Sequence, residues 1–453
     1  MIFELFVILS RYFFVLLIAI FARQSIKGAI AINNDDYAQL RRSAFSQRAV
    51  IIFMHALAFF ILSFDMGTSM FDYYTLGFAG VSVAVLVLGS LIAEKIYKNS
   101  CPIIWNCVVF LLDISLISIY RINTNSAELQ LVWIAVAFGL MVVVPIALKI
   151  LPSIEKMTIL YFAASFGLML LPFFFGVTIH GATRWVQIGS ETNYIRFQPS
   201  EIVKFLFVFY LAAALKNAVT IQKLILPGVM CAILVLIHVL QRDLGGALIF
   251  FLTFMAMLYI ASGKLSIVLL GFSAASIASV FAYHIFDHVQ VRVAAWLNPF
   301  ADMAGGGFQI LQSLFAIGSW GPFGSGLSRG FVRTIPIVES DFIFAAISEE
   351  FGWVFGIILI IIFMVIFYRG IKVALSHEGE YYSLLTAGFT CILAVQTFLI
   401  IGGVINFIPL TGVTLPFVSY GGSSIIASIL IICILQWVYG EREQEEYEDE
   451  YEE

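Results

Sequence analysis

The chain has 453 residues, 61% hydrophobic and 12% charged, with a mean hydropathy of +1.00. This composition excludes a soluble globular domain: apolar runs recur that are long enough to cross about 30 Å of hydrocarbon. The net charge of −5 comes from one end. The segment from Glu441 holds nine acids and one Arg, and the remainder carries 23 basic against 20 acidic residues.

Thirteen spans are expected in chain order, at about 3–22, 48–65, 72–94, 102–121, 128–148, 158–177, 199–215, 222–240, 243–262, 265–286, 341–368, 381–402 and 417–438. The first lacks a cleavage-site pattern and carries Glu4 and Arg11, so it reads as a span and not as a signal peptide. The fold class is an all-α polytopic membrane protein. The five cysteines (Cys101, Cys107, Cys231, Cys391, Cys433) fall in or at the ends of apolar segments without a CxxC pair, which argues against disulfides and a cysteine metal site.

Basic residues orient the spans. With the C-terminus in the cytoplasm, fifteen of the 24 Lys and Arg lie on that side. The other side holds seven, all arginine: Arg121, Arg184, Arg196, Arg242, Arg292, Arg329 and Arg333. An odd number of spans then puts the N-terminus outside. Arginine offers phosphate or carboxylate a planar fork where lysine offers a point charge; interfacial snorkelling accounts for the same residues without a ligand. Two outer segments are long, 178–198 and 287–340, and such loops on a rigid scaffold usually carry function. The tail 441–453 is a like-charge block and is expected to be a disordered, cytoplasmic extension.

Ionisable groups within spans are functional candidates because burying them costs free energy. Asp341, in Ser340–Glu350, is expected in the first turn of a long apolar helix, where the helix dipole favours its charge. At 100° per residue Ser348 lies about 20° from the face of Asp341, Glu349 about 80°, and Glu350 points away, so the last two are expected to make interhelical contacts. Glu201 and Lys204 are i, i+3 behind Pro199 and share a face. They either neutralise each other or line a polar cavity with Arg196. Asp243 either caps its helix or joins the site. Asp113 is assigned a structural hydrogen bond. The histidines (His55, His180, His238, His284, His288, His377) have no metal-ligand spacing, and neither a P-loop nor HExxH is present. The Gly-rich stretch 305–326 is weak evidence for phosphate binding.

The motifs Gly181–Trp185 (GATRW), Arg196–Glu201 (RFQPSE), Arg242–Gly245 (RDLG), Gln309–Gly318 (QILQSLFAIG), Ser340–Phe344 (SDFIF) and Leu415–Ser423 (LPFVSYGGS) occur in the order of SEDS proteins (FtsW, RodA, SpoVE), and the chain resembles that family over about 102–438. The resemblance implies a ten-span core at 99–440, with 1–98 as three extra N-terminal spans. It implies peptidoglycan glycosyltransfer on the outer face of the bacterial cytoplasmic membrane: lipid II is polymerised into glycan strands beside a class B penicillin-binding protein, with no nucleic-acid partner. Asp341 falls on the family's essential aspartate, and Arg196, Glu201 and Lys204 on its polar cavity set. The chain departs from the family at Glu339–Ser340 before Asp341, and at Ile400 and Asn406.

On this reading Asp341 is the general base for a sugar 4-hydroxyl. Arg196 and Lys204 stabilise pyrophosphate, Glu201 orients Lys204, and Arg184 and Arg292 place the substrate. Gln309, Gln312, Asp243 and Ser419 complete the substrate-binding candidates. The sequence does not show whether a divalent cation such as Mg2+ shares the pyrophosphate. Two rivals remain: a lipid II flippase, opposed by the clustering of motifs on one side and the lack of an inverted repeat, and a non-catalytic assembly scaffold.

Overall fold

The computed structural model describes residues 2–65, 70–150, 154–179, 182–189, 194–216, 221–376 and 379–452. Gly181 of the first motif, His180 and His377 lie outside them. The first helices are α1 (Ile2–Asn33), α2 (Tyr37–Ser63), α3 (Tyr73–Ile96), α4 (Pro102–Ile122), α5 (Thr124–Leu140), α6 (Val143–Ile150) and α7 (Thr158–Phe175). Then follow α8 (Pro199–Leu215), α9 (Ile221–Leu240), α10 (Leu244–Ser262), α11 (Leu265–Ile285), α12 (Asp287–Leu297) and α13 (Phe308–Ser319). The last are α14 (Ile343–Phe351), α15 (Trp353–Ser376), α16 (Glu380–Val404) and α17 (Gly422–Glu452). Strands β1 (Phe64–Asp65) and β2 (Met70–Phe71) pair between α2 and α3. Strands β3 (Gly176–Ile179), β4 (Ala182–Gly189) and β5 (Tyr194–Phe197) form an antiparallel sheet between α7 and α8.

Among the described residues 12 helical stretches are long and apolar enough to cross a membrane, with α5 and α6 together making one of them. The thirteenth expected span, α8, has 17 residues, a rise of about 25 Å. Helix α4 is the axis of the bundle. Residues Ile103–Tyr120 are all buried, as a helix apolar on every face requires, and α1, α2, α3, α5 and α15 pack around it. Lipid is as apolar as leucine, so polar pairs and close packing hold such helices together. The Asn106 amide donates to Ala44 O (3.1 Å) and Gln47 Oε1 (3.0 Å), and Gln47 Nε2 donates to Ser25 Oγ (2.8 Å), joining α4, α2 and α1. At the other extreme, α11 buries only Val268 and stands at the edge of the bundle.

Three local expectations are corrected. The span expected at 341–368 is broken. Helix α14 stops at Phe351, Gly352 takes φ 94°, and α15 starts afresh at Trp353. The Ser325 and Gly326 amides cap the Glu349 and Glu350 carbonyls at 2.9 Å each, which ends α14. A Cβ on Gly352 would collide with Pro322 O and lie 2.6 Å from Gly324 N, so only glycine fits there. The outer segment 178–198 is not an open loop: it contains most of the β3–β4–β5 sheet, in which Gln187 pairs with Arg196. The segment 287–340 is not continuous loop either, since α12 and α13 fold within it. In the acidic tail the backbone continues as helix through Glu452, as part of α17.

Candidate functional site

Asp341 lies in a tight turn before α14, not in the first turn of a long helix. Its amide donates to Ile337 O (3.1 Å), Ile337 has φ 54°, and Ser340 Oγ donates to Asp341 Oδ1 (2.8 Å). The connection from α16 to α17 clamps this turn. Ser419 Oγ accepts from the Leu415 amide (2.9 Å) and donates to Ser340 O (2.5 Å), and the Tyr420 amide donates to Glu339 O (2.8 Å). Gln130 of α5 holds the clamp from behind: its Nε2 donates to Ser419 O (3.0 Å) and its Oε1 accepts from the Gly421 amide (3.2 Å). Ser419, expected to bind substrate, is buried and makes its hydroxyl hydrogen bonds with the main chain at Leu415 and Ser340, next to Asp341.

Two arginines converge on the same connection. Arg184 of β4 donates through Nη1 to Asp243 Oδ1 (3.0 Å) and through Nη2 to Gly412 O (3.1 Å). Arg292 of α12 donates through Nη1 to Leu410 O and Thr411 O, each at 3.2 Å. Gly412 has φ 68°, and a Cβ built on it would stand 3.5 Å from Asp341 Oδ2. Residues 410–412 thus carry two guanidinium groups on their carbonyls, and the side of Gly412 where a Cβ would stand faces Asp341 Oδ2. Asp243 caps α10 by accepting from the Gly246 amide (3.2 Å), so capping and pairing with Arg184 are one arrangement.

Burial opposes the charge on Arg184, but Asp243 and Asp341 outweigh it and raise its pKa above the ordinary arginine value. Burial works against the Asp243 carboxylate, but Arg184, His238 and the Gly246 amide together outweigh it and hold its pKa below the ordinary range. Burial lowers the pKa of Arg292, and Arg184 lowers it further against the pull of Asp243 and Asp341. Two polar atoms here are buried without a hydrogen bond among the described residues, Arg184 Nε and Thr411 Oγ1. Such groups are costly unless something satisfies them.

A second polar network braces the connection. Lys204 Nζ donates to Glu201 Oε1 (2.9 Å), Glu201 Oε2 (3.0 Å) and Gln396 Oε1 (2.8 Å). Gln396 Nε2 donates to Thr414 O (2.8 Å), and Thr414 Oγ1 shares a 2.6 Å hydrogen bond with Ser424 Oγ. Lys204 is 4% exposed and an ammonium has three donors, so all three are used internally. Both charges of the pair are buried and satisfied within this network. Arg196 is exposed on β5 and donates to Gln187 Oε1 (3.0 Å).

The remaining candidates lie elsewhere. Gln312 lines a separate cavity of about 280 Å³ with Phe315, Trp320, Phe331 and Glu349; Gln309 is half-buried one turn earlier on α13. Glu350 Oε1 accepts from Arg121 Nε of α4 (3.0 Å) and the Gly330 amide (3.3 Å), the interhelical contact expected of it, while Glu349 accepts from the Phe331 amide (2.6 Å). Asp113 makes its structural contact with His55 Nδ1 (2.5 Å). Among the described residues no three His, Cys, Asp or Glu side chains gather into a metal site. Sequence reasoning missed Gln130 and Gln396, whose signal was an amide inside an apolar span. It also missed Gly412, for which no signal was available.

The family described as cell cycle protein (FtsW, RodA, SpoVE) matches residues 98–444, which leaves α1, α2 and α3 outside the match. The peptidoglycan glycosyltransferase RodA of Mycobacterium tuberculosis is 40% identical over 199 residues, 44% of this chain and 42% of that protein. The chain thus spans about two fifths of the length of this relative. Stage V sporulation protein E of Bacillus subtilis is 33% identical over 276 residues, 57% of this chain and 72% of that one. A solved structure, reported as "Structural coordination of polymerization and crosslinking by a peptidoglycan synthase complex", shares the fold with a TM-score of 0.64 at 24% identity, over 76% of this chain and 99% of that one. With its family match running from the start of α4 almost to the end of the chain, the protein belongs to the FtsW/RodA/SpoVE family of cell cycle proteins.

Proposed function

We propose that this protein is a peptidoglycan glycosyltransferase that polymerises lipid II, with Asp341 as general base. The observation that carries the reading is that the Asp341 carboxylate faces the open side of Gly412, in the stretch 410–412 whose carbonyls hold Arg184 and Arg292. The reaction needs a base at the acceptor hydroxyl and positive charge at the departing pyrophosphate. The acceptor 4-oxygen attacks the anomeric carbon of the donor, its proton passes to Asp341, and the bond to the polyprenyl pyrophosphate breaks. Arg184 and Arg292 stabilise the leaving pyrophosphate. Lys204 and Glu201 act through Gln396 and Thr414 by holding the connection in register. The names of the mycobacterial relative and of the synthase structure support the same chemistry.

On this reading the chain is a multi-pass protein of the bacterial cytoplasmic membrane, with the Asp341 end outside and the C-terminus in the cytoplasm. Its partner is a class B penicillin-binding protein, which supplies the crosslinking. The test is glycan-strand synthesis from labelled lipid II by the purified protein and its partner. Asp341→Asn should reduce the product by about 10²–10⁴-fold. Equal strand formation by both proteins would remove Asp341 from the role of base. Wild-type protein that moved lipid II across a bilayer but never polymerised pre-flipped substrate would establish the transporter reading instead.

A further inference from the structure

A second cavity, of about 360 Å³, opens between α2, the end of α3 and the start of α4, lined by Tyr37, Arg41, Phe45, Arg48, Glu94 and Ser100 among others. It lies at the far end of the bundle from Asp341. The C-terminal end of α4 is at the Asp341 side, where Arg121 holds Glu350 and Arg333 donates to Ile122 O. The N-terminal Pro102 of α4 lines the cleft, and 21 residues of helix separate the two by about 30 Å. Helix α17 gives the same result. It starts beside the Ser419 clamp and reaches the α3–α4 turn at Gln436, which exchanges two 2.9 Å hydrogen bonds with the Cys101 main chain.

The cleft has a phosphate-binding chemistry. Arg48 pairs with Glu94 and donates through Nε to Asn106 Oδ1 (3.3 Å), which leaves guanidinium donors for a further acceptor. Arg41 is exposed and makes no ion pair or side-chain hydrogen bond among the described residues. The nearest acid along its helix, Asp36, is engaged as the cap of α2. Arg42, Lys95 and Lys98 stand exposed nearby in the sequence and add positive potential. At the lip, Tyr37 and Phe45 are 65% and 76% exposed, and exposed aromatics belong where hydrocarbon meets headgroups.

We propose that this cleft binds the phosphate of an anionic phospholipid headgroup between Arg41 and Arg48, on the membrane face opposite Asp341. A guanidinium fork matches phosphate geometry, and basic residues at a membrane surface each attract anionic lipid by about 1 kcal/mol. The cavity admits a headgroup, and the aromatic lip keeps the acyl chains outside it in the bilayer. A lipid there bridges α2 and α3 to α4, so it fastens the N-terminal helices to the part of the chain that matches the family. The same arginines would take a soluble phosphate ester, and the lip favours the lipid.

The proposal is independent of the role of Asp341, and its test needs no turnover. Full-length protein is reconstituted in nanodiscs of phosphatidylglycerol and phosphatidylcholine in equal amounts, and the lipids retained on release are counted by native mass spectrometry. Wild type should retain phosphatidylglycerol in preference. Arg41→Glu should weaken that retention by well over tenfold, and by at least about fivefold more than Arg42→Glu, the same charge change one residue outside the cleft, which loses only the diffuse surface attraction. Equal losses in both variants would reduce the effect to diffuse surface charge and overturn the site. Displacement of the lipid by excess glycerol phosphate would assign the cleft to a soluble ester and overturn the lipid. Arg41→Gln, which adds no negative charge, should also lose retention; if Arg41→Glu fails to fold, wild-type retention in Arg41→Gln overturns the site.

Discussion

Arg184 ties Asp243 to the backbone of Gly412: one guanidinium nitrogen is 3.0 Å from the carboxylate and another 3.1 Å from the carbonyl. Asp243 is fixed at the head of α10, and the open side of Gly412 faces Asp341 Oδ2. The arginine therefore transmits the position of a helix end to the candidate base. Only a planar fork spans both acceptors, so lysine cannot replace it. Arg184→Lys keeps a charge beside Asp243 and should unfold within a few degrees of wild type, while polymerisation falls by up to roughly 10²-fold through misplacement of residues 410–412. Arg184→Ala leaves Asp243 buried without its partner and should cost about 3–5 kcal/mol. Thermal melts in detergent beside lipid II turnover separate the two effects; Arg184→Lys with full turnover would dispose of the positioning role.

Gly412→Ala tests the same contact from the other side. A left-handed φ of 68° costs a non-glycine residue about 1–2 kcal/mol, and the added methyl would sit 3.5 Å from Asp341 Oδ2. The fold should survive this, since the bundle packs elsewhere. Turnover should fall more steeply than stability, because the methyl group occupies the space in front of the carboxylate. A variant that loses stability but no activity would show that this space is not used.

Burial pushes the Glu350 carboxyl up to about 7 against the pull of Arg121. With the folded pKa above the unfolded one, the native state holds a proton that the unfolded state has released. Stability therefore declines as pH rises from about 4.5 to 7 and levels off above it. The total contribution is about 3 kcal/mol at most. Glu350→Gln should flatten that part of a melting-temperature profile between pH 5 and pH 8. An unchanged slope would assign it to other groups.

The fold was legible where hydrophobic run length alone decides: α3, α4, α10 and α16 lie where apolar runs place them, while α2 begins at Tyr37, eleven residues before its apolar run. The break between α14 and α15 was not legible, because Gly352 in an apolar run looks like a tolerated helix glycine until the 324–326 segment is packed against it. The β3–β4–β5 sheet was missed because its outer strands have only four residues each and β3 directly continues an apolar helix. At the site, the i, i+3 spacing exposed the Glu201–Lys204 pair directly. Contacts such as Arg121–Glu350 and Arg184–Gly412 join residues more than 200 positions apart, and a single sequence holds no signal for them. The motif order located Asp341, but only the folded chain gives the reason Ser419 accompanies it, as a clamp on Ser340 O.

The roles of Glu201 and Lys204 can be separated because both side chains are buried and satisfied. Removing one partner of a buried pair leaves an uncompensated charge, so Lys204→Ala should destabilise the protein by about 3–5 kcal/mol and turnover should fall with it. Replacing both partners, as Glu201→Gln with Lys204→Met, removes the charges together and should recover most of that stability, with a coupling energy above about 1 kcal/mol in a double-mutant cycle. Activity then decides the mechanism. If Lys204 acts by holding Gln396 and Thr414, the double variant regains a large part of wild-type polymerisation, because the amide introduced by Glu201→Gln can still hydrogen-bond within the network. If the ammonium contacts the pyrophosphate, the double variant is stable and inactive, and the internal network described for Lys204 is not its working arrangement.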